Sequence, residues 1–439
     1  MMILTLKIKK AVTVAVLLMA GVHTTTAQTI TAEPLFHWRC SAGDSSLNFN
    51  PAAYGGGNMI FDSLPYAKEY TMIVVYKPVL DTETTIWHLE YGADDNSRGF
   101  TTEHILSGNV AIRYAPETDN TPVISTIRQS APDSVSPYAR LVVGDKAKVS
   151  EILYYDKRIG HAALRRMQSA LAIRYGITLG PVDWHTTDGV IWKYDSVYRH
   201  RITGLGVDTA ASLCQTMSRS EMEGAMLTIT ADTMLCGTFL LVGDNGNALE
   251  FASINGVEVL ERSWKVLAKG VDETRFTLSF DTKNSEHPCD SLVLFVDGDI
   301  YLPTTQDSVT VVFANVVFEN APDDSAGIYT GVHYLTIGRG GDLCRPVNTK
   351  GGKAAKDLDT GNYTVSIFPN PSYGRYTIEV NGTDRVQVTV YNLQGSVMAT
   401  FNSKDGNSHR FEGELPTGNV YFATITAGDV CQTLKLVVK

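Results

Sequence analysis

The side chains most able to do chemistry are clusters of oxygen donors. Asp94-Asp95-Asn96, Asp244-Asn245 and Asp297-Gly298-Asp299 place carboxylates and amides within a few residues of one another. Hard cations such as calcium take six to eight oxygens. Asp94, Asp95, Asp297 and Asp299 are therefore the metal candidates, with calcium the one ion they suit and no other cofactor expected. The same residue types also build plain turns. Hydrolysis of a glycosidic bond needs two carboxylates facing each other across it. Glu258, Glu261 and Asp272-Glu273 do not offer that spacing. The chain has no Gly-x-Ser-x-Gly nucleophile turn, no His-Glu-x-x-His zinc helix and no phosphate-binding glycine loop. His185, His200 and His333 are scattered along it. No catalytic residue is assigned, and the residues support binding more readily than catalysis.

Six cysteines are spread through the chain at Cys40, Cys214, Cys236, Cys289, Cys344 and Cys431. None has the Cys-x-x-Cys spacing of a zinc site. Their pairing is open, with Cys214–Cys236 preferred because both lie in one segment flanked by strand-like runs.

These groups must be held by elements, and the composition favours strands. The chain has 439 residues, 44% of them apolar, which is enough for two to four cored domains. Val, Thr, Tyr and Gly are plentiful. Residues 1–27 combine Lys7, Lys9 and Lys10, the apolar run Ala11 to Val22, and Thr25-Thr26-Ala27 at the cleavage positions. That is the pattern of a secretory signal peptide, cut after Ala27. Loss of those three lysines moves the formal charge from −10 to −13. So acidic a chain is a poor nucleic-acid binder. No later stretch is apolar for long enough to cross a membrane as a helix.

Three further segments follow. Residues 29–180 hold strand-like runs such as Thr71 to Tyr76 and Thr84 to Leu89, and then one helix, His161 to Tyr175. Leu164, Met167, Leu171 and Tyr175 form its apolar stripe, and Gly176 stops it. Arg165, Arg166 and Arg174 are expected in water. Residues 181–339 carry short strands from Met226 to Phe313, separated by turns, in the manner of a β-sandwich. Residues 340–362 are glycine- and charge-rich and read as a linker. In residues 363–439 apolar side chains alternate, as in Tyr376, Ile378, Val380 and in Val386, Val388, Val390. Period two marks half-buried strands, here in a small seven-strand sandwich.

The last segment resembles the C-terminal sorting domain of type IX secretion cargo from Bacteroidetes. The resemblance rests on Pro369, Asn370, Pro371 and Gly374 in its opening and on Gly395 after the Val386 to Val390 strand. It rests also on Gly418 and Tyr421 in the later turn and strand, and on Lys435 and Lys439 in the basic end. It implies export through the periplasm and recognition by the translocon and sorting machinery. The destination is the outer-membrane surface or the medium, in many members after proteolytic removal of the domain. Residues 29–180 resemble the laminin-G-like, concanavalin-like domains of such proteins, on Val149 to Arg158 and on Leu171 to Leu179. That implies a jelly roll, in which the hydrolytic relatives carry Glu-x-Asp-x-x-Glu, absent here. Residues 181–339 resemble the β-rich module that follows such domains, on Thr187 to Trp192, Tyr198 to Asp208, Phe239 to Gly246 and Leu260 to Val266.

The expected protein is thus all-β. It comprises a concanavalin-like jelly-roll sandwich, a second sandwich-like module and an immunoglobulin-like sandwich at the end. Its expected role is surface binding or adhesion, with a glycan or protein ligand. The alternatives are a polysaccharide-degrading enzyme with an unrecognised carboxylate pair, or a structural component of the surface layer. Trp87, Trp184 and Trp192 suit sugar stacking and a core equally. Ser63, Ser134, Ser196, Thr209, Thr233, Ser291, Ser308 and Ser325 follow Asp and precede an apolar residue. This resembles the Bacteroidetes O-glycosylation pattern, and an intact mass equal to the bare polypeptide would dismiss it.

Overall fold

The structure, a computed structural model, describes residues 33–439 except 42–44, 55–58, 79–82, 84, 93–96, 102, 108–109, 114–120, 132–136, 145–146, 255–256, 271–273, 283–291, 308, 323–328, 340–362, 393–396, 404–405 and 428–429. The segments expected to be a signal peptide, residues 1–27, and a linker, residues 340–362, lie outside the described residues. What is described is almost entirely antiparallel strand, with one α-helix.

The first unit closes two sheets over a common core. One sheet orders Val123–Ser130, Glu69–Pro78, Ala147–Tyr155, Asn50–Tyr54 and Ser45–Leu47, with Phe36–Arg39 also paired to Ala147–Tyr155. The other orders Met59–Pro65, Tyr138–Val143, Thr85–Glu90, Arg98–Thr101, His104–Ser107 and Val110–Arg113. Alternate residues point inward, so Met72, Val74 and Tyr76 from one sheet meet Trp87, Leu89 and Leu141 from the other. Ile73 and Val75 point to the opposite face of their strand, where the helix covers them.

The helix spans His161–Tyr175, and Gly176 ends it in the left-handed region, at φ 63°, with its N–H on the Ala172 carbonyl. Leu164, Met167, Leu171 and Tyr175 lie on the first sandwich, as their spacing predicts. Ala172 and Ile173 face the other way, into a cluster with Trp184, Ile191, Trp192, Ile202, Phe239 and Leu241. The helix is therefore a shared wall, buried from both sides toward its C-terminal end. This corrects one expectation: Arg174 is not in water but 4% exposed. The reason is a buried counter-charge, Glu151, which sequence spacing does not reveal.

The second unit is a larger sandwich. Its main sheet orders Leu213–Gln215, His200–Asp208, Phe239–Asp244, Val257–Lys269, Tyr329–Arg339, Leu292–Val296 and Asp299–Tyr301. Its second sheet orders Met217–Arg219, Leu227–Ala231, Arg275–Asp281, Thr310–Val317 and Thr305–Gln306. Trp264, Val266, Leu335 and Ile337 from the first meet Ile229, Leu278, Phe280 and Phe313 from the second.

Among its described residues the last unit has seven strands of its own. Thr364–Phe368, Arg375–Asn381 and Ser408–Glu414 form one sheet. Val430–Val438, Asn419–Ala427, Val386–Asn392 and Val397–Asn402 form the other. Tyr376, Ile378 and Val380 pack on Val388, Val390, Ala423 and Ile425, the residues that alternation assigns to the inside.

The cysteine pairing expected above is overturned. Cys214 is disulfide-bonded, but Cys236 is a free, exposed thiol whose sulfur lies 3.6 Å from the Thr209 hydroxyl. Proximity in sequence did not bring the two sulfurs together.

Candidate ligand-binding face

A strand in a two-layer sandwich buries one face and leaves the other to solvent or to a covering loop. On the main sheet of the second unit, the strand Tyr329–Arg339 turns His333, Leu335 and Ile337 inward. Val332 and Tyr334 therefore point outward, and they are 49% and 48% exposed. Opposite them in register stand Leu267 and Lys265 of the neighbouring strand. The segment between Trp192 and His200 runs across this face. Its Tyr198 ring lies 5.5 Å from that of Tyr334, and its hydroxyl is 3.3 Å from the Ser263 hydroxyl. Asp195 holds Lys265 at 2.8 Å; burial pushes its pKa up, but the Lys265 hydrogen bond, the N–H groups of Val197 and Tyr198 and the Lys265 charge together outweigh it and hold the carboxyl below its ordinary value. The Lys265 ammonium also sits 5.4 Å from the Trp192 ring centroid. Tyr194 and Val197 are exposed beside it.

The result is a flat patch of tyrosine rings and aliphatic side chains, edged by amide, hydroxyl and charged groups. Asn245 lies on that edge and donates to the Ser263 hydroxyl and the Glu261 carbonyl, both at 3.0 Å. Such a surface offers ring faces for apolar contact and polar groups for orientation. Trp87, Trp184 and Trp192 are fully buried and so serve as core rather than as stacking platforms.

The calcium candidates are engaged otherwise where they are described. Asp297 accepts from the Tyr334 N–H at 2.8 Å and pairs with the buried His333 ring at 2.7 Å. Its neighbour Asp299 is exposed on the returning strand of the Asp297-Gly298 hairpin. Asp244 is held by both sides of the Arg201 guanidinium, each contact 2.6 Å. Asp94 and Asp95 lie outside the described residues. Sequence reasoning missed a different trio. Glu83, Glu103 and His104 bring three ligand atoms within 4.8 Å of one another. Within it, His104 is hydrogen-bonded to Glu83 at 2.6 Å.

The most heavily buried charge cluster joins the first two units. Glu151, 1% exposed, takes hydrogen bonds from Arg174 at 2.9 Å, Arg39 at 3.0 Å, His37 at 2.7 Å and Tyr175 at 2.8 Å. Burial alone would raise its pKa, but the Arg174 charge, the His37 hydrogen bond and Arg39 outweigh it. The carboxyl is held well below the ordinary range. Arg174 also donates to the carbonyls of Ala211 and Ser212 in the second unit. Asn48 completes the joint: its amide donates to the Ile173 and Arg174 carbonyls and accepts from the Arg219 N–H. Among the described residues, Glu151 and Asp244 are the buried acids, and each is ion-paired to an arginine.

Several of the residues that carry the sorting-domain resemblance, scattered in sequence, meet at one end of the last sandwich. The Asn370 side chain accepts from the Val437 N–H at 3.0 Å, and Ser372 bonds both Val437 and Lys439 through its backbone. Gly418, at φ 79°, donates to the Val438 carbonyl, and Gly374, at φ 107°, accepts from Leu415. Tyr421 is buried and its hydroxyl donates to the Pro416 carbonyl at 2.9 Å. Pro369 and Pro371 both follow cis peptide bonds. Lys439 is exposed, Lys435 lies on the final strand opposite Phe422, and Gly395 lies outside the described residues. Of the O-glycosylation candidates, Ser63, Ser196 and Thr209 are exposed and Thr233 is half-buried. Ser134, Ser291, Ser308 and Ser325 lie outside the described residues.

Residues 366–439 match the family described as the secretion system C-terminal sorting domain. Residues 163–327 match a domain of unknown function, DUF8202, whose span begins inside the helix. No curated protein matches the chain. Among solved structures, the polysaccharide lyase BACCELL_00875 is 11% identical, over 51% of this chain and 35% of its own, with a TM-score of 0.17. The chain thus spans about a third of that lyase's length. The lipoprotein Tp47 of Treponema pallidum is 9% identical, over 91% of this chain and 94% of its own, at 0.15. The BSP domain of a biofilm associated protein is 10% identical, over 91% and 84%, at 0.15. Scores this low fix neither fold nor ligand. The sorting domain does establish the route: the chain is exported by type IX secretion to the cell surface or beyond it. Among the described residues no helix is long and apolar enough to cross a membrane.

Proposed function

We propose that this exported chain is a surface binding protein whose ligand is a glycan. The supporting observation is the Tyr198–Tyr334 face. Two ring faces lie on a flat sheet, with Val332 and Val197 exposed beside them and Asn245, Ser263, Lys265 and Asp195 at the edge. Sugar rings present C–H faces to aromatic rings and hydroxyls to amides and charges, which is the complement of that surface. The first sandwich, taken as a laminin-G-like domain, would then act beside it as a second presenting module. The two buried acids among the described residues, Glu151 and Asp244, are each ion-paired to an arginine and do not face one another as a catalytic pair would.

The test is a glycan array probed with the full exported chain and with Tyr334→Ala and Tyr198→Ala, alongside a reducing-sugar assay on the glycans that bind. Binding by the parent that falls at least tenfold in both variants, without sugar release, supports the proposal. Release of sugar would establish the degrading enzyme. No glycan signal, with envelope proteins retained in pull-downs, would establish the structural component instead.

A further inference from the structure

The sorting domain is not merely tethered behind residues 340–362. The short strand Thr233–Leu235 of the second unit pairs with its last strand, in the register Thr233↔Gln432, Met234↔Cys431 and Leu235↔Val430. That pairing adds a fifth strand to the sorting domain's larger sheet. The Met234 side chain is meanwhile buried in the core of the second unit. One three-residue strand therefore belongs to two domains at once, its backbone to one and its side chain to the other. Such pairing also covers a sheet edge that would otherwise be open to foreign strands.

Beside this joint lies the disulfide of Cys214. The Cys214 sulfur is 3.6 Å from the hydroxyl of Thr426, which belongs to the sorting domain. In the pairing of the last two strands, Thr426 stands directly opposite Cys431. Cross-strand partners share a face of the sheet, with Cα atoms roughly 4.5–5.5 Å apart. Cys431 is the only cysteine in residues 363–439. We propose that Cys431 is the partner of Cys214, so that the sorting domain is covalently stapled to the unit before it.

Closing the bond removes one hydrogen from each thiol and forms one S–S bond. The two electrons pass to a disulfide-carrying oxidant of the exported environment, which is reduced to a dithiol. A protease that cuts residues 340–362 severs the polypeptide but leaves the sorting domain attached until the staple is reduced. Removal of the domain thereby needs two events, one hydrolytic and one reductive.

Disulfide mapping on the full exported chain tests this. Its thiols are alkylated and it is digested with trypsin without reduction. The expected product is peptide 202–219 joined to peptide 411–435, lost on adding reductant. Peptide 202–219 joined instead to peptide 284–339 or 340–350, or carrying an alkylated Cys214, overturns the proposal. On a denaturing gel without reductant, chains nicked within residues 340–362 should run as one species, and separate in Cys431→Ser. Separation of the nicked parent without reductant overturns it equally, and neither outcome depends on what the Tyr198–Tyr334 face binds.

Discussion

Removing the carboxyl of Glu151 should destabilise the joint between the first two units more than any surface change. In Glu151→Ala the Arg174 guanidinium, 4% exposed, keeps its burial but loses its counter-charge. Breaking one side of a buried, hydrogen-bonded ion pair costs about 3–5 kcal/mol, because the remaining charge is left unsolvated. The Tyr175 hydroxyl and the Arg39 and His37 side chains lose the same acceptor. Shortened carbons also leave a void at the sheet–helix contact, so the upper part of that range is expected. Urea unfolding of the full chain at pH 7 measures it as a fall in midpoint at constant slope. The double change Glu151→Leu with Arg174→Met should recover much of the loss, since neither charge is then buried alone. The pH dependence has a definite sign. The folded pKa of Glu151 is depressed, so its stabilisation is complete above the unfolded carboxyl value of about 4.3. It drains away only as pH falls from there through the lower folded value. Glu151→Gln should lose that acid-limb dependence while remaining destabilised at pH 7. A loss under about 1 kcal/mol in Glu151→Ala, or a double change no better than the worse single one, would refute the reasoning.

Two further outcomes follow from the fold. Deleting residues 363–439 should trap the remainder in the periplasm, measured by fractionation and surface labelling; normal surface display of that truncation would contradict the assigned route. Gly176→Ala should destabilise the same joint by more than the roughly 1–2 kcal/mol of a left-handed residue with a side chain. An added Cβ there would lie 2.4 Å from the Arg219 carbonyl oxygen, a backbone atom that cannot swing aside. Thermal unfolding checks it, and a midpoint unchanged from the parent would show that the chain relaxes around the new carbon.

Much of the architecture was legible because strands announce themselves by period two. The run from Arg375 to Val380 names its own buried face, and the structure buries Tyr376, Ile378 and Val380 as that alternation requires. The helix was legible through Leu164, Met167 and Leu171, and its end through Gly176. The sorting domain was legible through glycines and prolines whose backbone roles allow little substitution, such as Gly374 and Gly418 at positive φ. The aromatic face was not legible. Tyr198 and Tyr334 stand far apart in the chain, and no local pattern distinguishes them from tyrosines in the core.

By itself the sequence determined what is local: which residues alternate, where the helix starts and stops, and which terminal segment directs export. Only the tertiary structure decided what depends on two distant segments meeting. Arg174 has the spacing of a solvent residue but is buried, because Glu151 of the strand Ala147–Tyr155 meets it across the helix–sheet contact. Cys214 and Cys236 are near in sequence but do not pair, because sheet register, not chain distance, sets which sulfurs can approach. Local periodicity fixes the face a side chain takes; the partner on that face is fixed by how the sheets pack.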